Sequence, residues 1–199
     1  MSKDQFEKIR KLAESGNGYI CTAQVLKCGI SKPTFAKYAE KMNMERVAHG
    51  IYLANDAWRD DLYILYLANR QIVFSHETAL MLHGLMEREP AKISVTVKAG
   101  YNASHLRERG IQVYQVKNGV AAVGLTDVKT NFGNTVHAYD LERTICDIIQ
   151  KKEKMDIQVF RYALREYMQR SQKDLNHLMS YASLLGIEKQ MRMYTEVML

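Results

Sequence analysis

Two stretches of this sequence hold residue types at a spacing suited to chemistry. The first is Ser31, Lys32, Thr34, Lys37, Tyr38 and Lys41, with Arg46 and His49 close behind. Cations, hydroxyls and a phenol along one short segment suit contacts to phosphates and to base edges in a nucleic-acid groove. The second is Asp127-Val128-Lys129. An acid, a spacer and a lysine on a strand can hold a divalent metal and a water in a nuclease. That chemistry needs a further carboxylate, with Glu77 and Glu89 as candidates. Three-residue matches of this kind arise often by chance, so a nuclease is the lesser alternative. His76 and His83 stand seven apart without a third ligand, so neither a metal nor a cofactor is expected. No phosphate-binding glycine loop, nucleophile elbow, H-E-x-x-H or C-x-x-C occurs. The chain is not expected to be an enzyme.

The elements that must position the first stretch can be read from local signals. Phe6, Ile9 and Leu12-Ala13 recur at helical spacing, predicting a helix over Ser2 to Glu14 with Ser2 and Gln5 as a capping box, stopped at Gly16-Asn17-Gly18. Tyr19 to Cys21 is extended. Thr22 caps a two-turn helix ended by Gly29. Ser31 caps another, with Pro33 in its first turn, running to about Lys41. Two short helices joined by a glycine turn form a helix-turn-helix. Arg46 to Leu53 then reads as a hairpin with its tip at His49-Gly50, placed as a wing. On the second helix of the pair Phe35, Ala39 and Met42 form the apolar stripe, leaving Thr34, Lys37, Tyr38 and Lys41 to face a duplex. Lys32, Arg46 and His49 would add backbone contacts, and Gln24 is a weaker candidate for a phosphate.

Composition sets limits. The 199 residues are 47% hydrophobic and 25% charged, with 2 prolines and 11 glycines, which excludes collagen-like and disordered classes. No apolar run reaches the ~18 residues of a membrane helix. Three cysteines are too few for a disulfide framework and read as reduced thiols. A cytoplasmic, globular protein without membrane contact is expected. The net charge of +6 suits a polyanionic partner without demanding one, and it is spread evenly along the chain.

Beyond residue 56 the pattern changes. A helix begins near Asp56 or Asp60 and passes Leu62 to Asn69. Gln71 to Phe74 reads as a strand, Ser75 to Thr78 as the cap of a helix closed by Gly84. Lys92 to Val97 alternates as a strand with one buried face, and Ile111 to Val116 is another. Lys117-Asn118-Gly119 reads as a turn; β-type pieces follow at Leu125 to Val128 and Thr135 to Tyr139. Asp140 caps a helix to Gln150, and three helices fill the remainder. The fold class is therefore α+β: a winged helix-turn-helix domain over 1–56, with the 57–70 helix free to belong to either side, and a 57–199 module with a mostly antiparallel sheet and C-terminal helices.

The order of these pieces is specific. A winged helix precedes Phe74-Ser75-His76-Glu77-Thr78-Ala79-Leu80 and Leu82-His83-Gly84-Leu85, then a strand, then Tyr139-Asp140-Leu141-Glu142-Arg143-Thr144-Ile145-Cys146-Asp147-Ile148-Ile149. From Phe6 to Ile149 the sequence resembles the AbiEi family, antitoxins of bacterial type IV abortive-infection toxin–antitoxin systems that act in phage defence. The resemblance implies an autoregulated repressor. Its winged helix would bind inverted repeats in double-stranded operator DNA, and its C-terminal module would counteract a nucleotidyltransferase-like toxin, with or without stable contact. It also marks Glu142, Arg143 and Asp147 as the antitoxin motif. Those residues have a plainer reading: Arg143 and Asp147 are four apart on a helix and suit a salt bridge. A plain winged-helix regulator with a ligand-sensing or dimerising second module is the alternative function.

Overall fold

The computed structural model describes residues 2–86 and 88–198. The chain separates into two compact units. Unit 1 runs to Arg70 and takes in Thr130–Asn134; unit 2 holds Gln71–Lys129 and the chain from Thr135 on. Helices and strands are mixed in both.

In unit 1, helix α1 (Lys3–Ser15) starts at the Ser2 cap. The Gln5 amide donates to the Ser2 hydroxyl at 3.2 Å and the Ser2 amide to the Gln5 side chain at 3.1 Å, so two of the helix's orphan donors satisfy each other's residues. Strand β1 (Tyr19–Cys21) leads into α2 (Thr22–Lys27), which begins one residue earlier than the sequence pattern placed it, after Cys21. Gly29 at φ +73° turns the chain, and α3 (Lys32–Lys41) follows with Ser31 as its cap. Strands β2 (Glu45–Ala48) and β3 (Ile51–Leu53) form a hairpin turning at Gly50, φ +71°, where an L side chain would be strained. β1 joins on the other side of β3, giving an antiparallel sheet of order β1-β3-β2. Ile9, Ile20, Val25, Ile30, Phe35 and Tyr38 form one core. Helix α4 (Asp61–Ala68) packs Ile64 with Tyr19, Ile51 and Leu53 in a second.

Unit 2 is built on β4 (Val73–Phe74), β5 (Ser94–Lys98), β6 (Gln112–Val116), β7 (Leu125–Lys129) and β8 (Thr135–Tyr139), in the order β6-β5-β4-β8-β7. The expectation of a mostly antiparallel sheet is corrected: β4/β5 and β7/β8 are antiparallel, but β5/β6 and β4/β8 are parallel, so the sheet is mixed. Parallel neighbours need a long crossover. For β5 and β6 it is residues 99–111, containing α6 (Ser104–Glu108), whose single buried residue, Leu106, gives no periodic signal. The supposed turn at Lys117-Asn118-Gly119 leads into a one-turn helix, α7 (Asn118–Ala121). β5 is also buried on both faces, from Ser94 to Val97, because it is internal to the sheet and helices lie against it. Helices α5 (His76–Leu82), α8 (Leu141–Gln150), α9 (Ile157–Gln169), α10 (Leu175–Leu184) and α11 (Glu188–Met198) enclose a core that includes Leu80, Ile145, Ile148, Phe160, Leu164, Leu178 and Met191.

Candidate nucleic-acid interface

Helix α3 owes its position to its buried side. Phe35 stands edge-on to Tyr52 of β3 with ring centroids 4.9 Å apart, and Ala39 is buried beside it. The third anchor is Tyr38, 2% exposed, its ring 4.9 Å from that of Phe6 on α1. Tyr38 is therefore a core residue, contrary to its expected place on the open face. Met42, assigned to the apolar stripe, is 41% exposed at the helix end. The buried side of α3 thus keeps Phe35 and Ala39 and takes Tyr38, one turn earlier on the same face, in place of Met42, because α1 covers the Tyr38 side.

The open side then consists of Pro33, Ala36, Lys37, Glu40 and Lys41, with Lys32 exposed at the start. Lys32 and Lys37 form no ion pair among the described residues. The Lys41 ammonium lies 5.3 Å from the Phe6 ring centre, an attraction that leaves its charge uncompensated. Thr34 is half-buried, its hydroxyl 2.9 Å from that of Ser31, and the Ser31 hydroxyl accepts the Thr34 amide. Both hydroxyls therefore serve the helix start, and Ser31 keeps its exposure. Arg46 and His49 are exposed on the hairpin, with the Arg46 guanidinium 3.2 Å from His49 Nδ1. The Gln24 side chain accepts the Cys21 amide at 3.0 Å and so caps α2. Of the eight residues expected to meet DNA, the structure brings six to the surface of one small unit, half-buries Thr34 and buries Tyr38. Periodicity alone missed Pro33, Ala36 and Glu40.

In unit 2 the marked residues of α8 bond to neighbouring elements. The Arg143 side chain is fully buried. Its Nε donates to Asp147 Oδ1 at 2.9 Å, and its Nη1 donates to the carbonyls of Val120 and Val123 at 2.8 Å each. The guanidinium also sits 4.2 Å from the Tyr139 ring centre. The salt bridge that helical spacing suggested is thus present, as a sealed interior tie. Burial pushes the Asp147 carboxyl up to about 6 against the pull of Arg143. Glu142 accepts the Tyr167 hydroxyl at 3.0 Å and the Asp174 amide at 3.2 Å, holding α9 and α10 to α8.

The nuclease alternative finds little geometry. Asp127 lies on β7 with its carboxylate 2.7 Å from His137 Nδ1. Glu77 is half-buried on α5, and burial raises its carboxyl. Among the described residues no group of three or more His, Cys, Asp or Glu side chains could hold a metal. His76 is buried and stacked on Tyr114 at 3.5 Å; His83 Nε2 is 2.7 Å from the Tyr139 carbonyl. Cys146 is a core thiol, pushed up to about 12 by burial. No described helix is long and apolar enough to cross a membrane.

No family model and no curated protein matches the chain. Among solved structures it is similar to the Rv2827c protein of Mycobacterium tuberculosis, with a TM-score of 0.58 and 10% sequence identity over 92% of this chain and 72% of that one. At that identity the likeness concerns the fold alone.

Proposed function

We propose that unit 1 is a winged helix-turn-helix that binds double-stranded DNA, with α3 in the major groove and the β2–β3 hairpin as the wing. The observation that carries this reading is the open side of α3. Lys37 and Lys41 stand on it and Lys32 at its start, none neutralised by an acidic partner, with Arg46 and His49 on the hairpin that follows. Uncompensated cations at a helix and its wing are the electrostatic footprint of phosphate contact. Ala36 and Pro33 add small apolar surface at the centre of that side, suited to thymine methyl groups. Glu40 would accept from cytosine or select against a neighbouring phosphate.

The resemblance to AbiEi antitoxins extends the proposal to the whole chain. The protein represses its own promoter at inverted repeats, and unit 2 counteracts a nucleotidyltransferase-like toxin. The buried pair Arg143 and Asp147 and the bridging contacts of Glu142 favour a motif that preserves the fold of unit 2, leaving antitoxicity to residues on its surface.

A mobility-shift titration against the chain's own promoter tests the DNA reading. Lys37→Ala and Lys41→Ala should each weaken binding and reduce the slope of log affinity against log salt by about 0.9 per lost phosphate contact. Unchanged affinity in both variants overturns it. Co-expression of the full chain with a toxin encoded beside it tests the antitoxin reading, for which growth must be restored.

A further inference from the structure

β7 forms one edge of the five-stranded sheet, and its outer side can be read from the hairpin it makes with β8. The Asp140 amide donates to the Gly124 carbonyl at 2.7 Å and the Thr130 amide to the Asn134 carbonyl at 2.8 Å. In an antiparallel ladder the bonded pairs alternate. With Thr126 opposite Ala138 and Val128 opposite Val136, these two residues complete the bonds to β8. The amides and carbonyls of Asp127 and Lys129 therefore point outward, and neither residue's backbone meets another partner among the described residues. Both side chains lie on one exposed face of the strand.

An outward acid and an outward lysine two residues apart are complementary to themselves when the strand is reversed. We propose that β7 pairs antiparallel with β7 of a second copy about a two-fold axis at Val128, placing Asp127 of each copy opposite Lys129 of the other. Two bonded pairs supply four backbone hydrogen bonds and two cross-strand ion pairs, and the sheets of the two copies become continuous. The opposite edge, β6, has no charged residue from Gln112 to Val116 and so offers no such register. The same charges discourage pairing with foreign strands that lack the reversed pattern. A contact of this size makes a weak, reversible dimer. The inference stands independently of DNA binding by unit 1.

The test is sedimentation equilibrium on the full chain, with circular dichroism confirming the fold of each variant. The wild-type protein associates with rising concentration. Asp127→Lys or Lys129→Asp places like charges opposite each other twice and weakens the dimer about tenfold or more. The double exchange Asp127→Lys/Lys129→Asp restores the dimer to within about threefold of the original, because the pairs are re-formed with their signs reversed. A wild-type chain that stays monomeric throughout, or a double exchange that stays as weak as the single reversals, overturns the proposal. Cross-linking gives a second measure that does not depend on charge. At the two-fold axis, Val128 faces its own copy as a non-bonded pair with Cα atoms ~4.5 Å apart, within disulfide reach. In a Cys28→Ser background Val128→Cys should form a covalent dimer on mild oxidation, while Leu125→Cys should not. Absence of the Val128→Cys dimer, or equal cross-linking at both positions, also overturns it.

Discussion

Arg143 and Asp147 form a salt bridge of 2.9 Å in which neither side chain meets solvent to any useful extent. The bridge is single. Arg143 Nη2 and Asp147 Oδ2 are buried and have no partner among the described residues. The guanidinium is held on its other side by the carbonyls of Val120 and Val123, so one residue of α8 fixes the 120–123 segment in place. Arg143→Ala should therefore destabilise the protein by about 3–5 kcal/mol, because Asp147 is left buried without a counter-charge. Replacing both members with apolar residues should cost less than Arg143→Ala alone. Urea denaturation of the three proteins measures the difference.

The same segment makes Gly124 a position of low tolerance. It has φ +75°, and a Cβ there would come within 2.5 Å of the Arg143 Cβ. Gly124→Ala should lose stability by more than the ~1–3 kcal/mol of backbone strain alone, while Gly110→Ala, equally left-handed but in open space, should pay only the strain. Thermal melts of the two variants separate the steric part from the conformational part.

His76 predicts a pH dependence. Its ring is buried against Tyr114, and burial lowers its pKa from 6.5 to about 3. Below pH 6.5 the unfolded chain takes up a proton there that the folded chain refuses. Stability from this group is complete above pH 6.5 and falls by up to ~1.4 kcal/mol per unit as the pH drops towards 3. Asn tolerates the left-handed backbone that His76 adopts at φ +50°. His76→Asn should accordingly be less sensitive to acid than wild type between pH 6.5 and 4. Asp147 titrates in both proteins and drops out of the comparison. Parallel slopes in the two denaturation series would refute the assignment.

Tyr38 separates the fold from recognition. Tyr38→Ala should cost about 3–5 kcal/mol through the cavity left beneath Phe6. Tyr38→Phe should keep both the fold and the sequence preference in a mobility shift, since the hydroxyl is not placed to touch a base.

What this sequence settles by itself is set by neighbours a few residues apart. The Ser2 and Gln5 box, the Ser31 cap, the Asp140 cap that accepts the Arg143 amide at 2.8 Å and the turn at Gly50 are all local hydrogen bonds or backbone preferences, and residue type announces them. The candidate site was legible to the same depth: its lysines, arginine and histidine lie where chain order put them. Contacts between distant residues decided the rest. Helical spacing could not say that Phe6 would cover Tyr38, so the open side of α3 differs from the one that spacing indicates. Four-residue spacing showed that Arg143 could meet Asp147, but not that the carbonyls of Val120 and Val123 would close over the pair. The parallel register of β5 and β6 has no local mark either, because a strand's own sequence fixes which face is apolar and leaves the direction of its neighbour to the crossover between them.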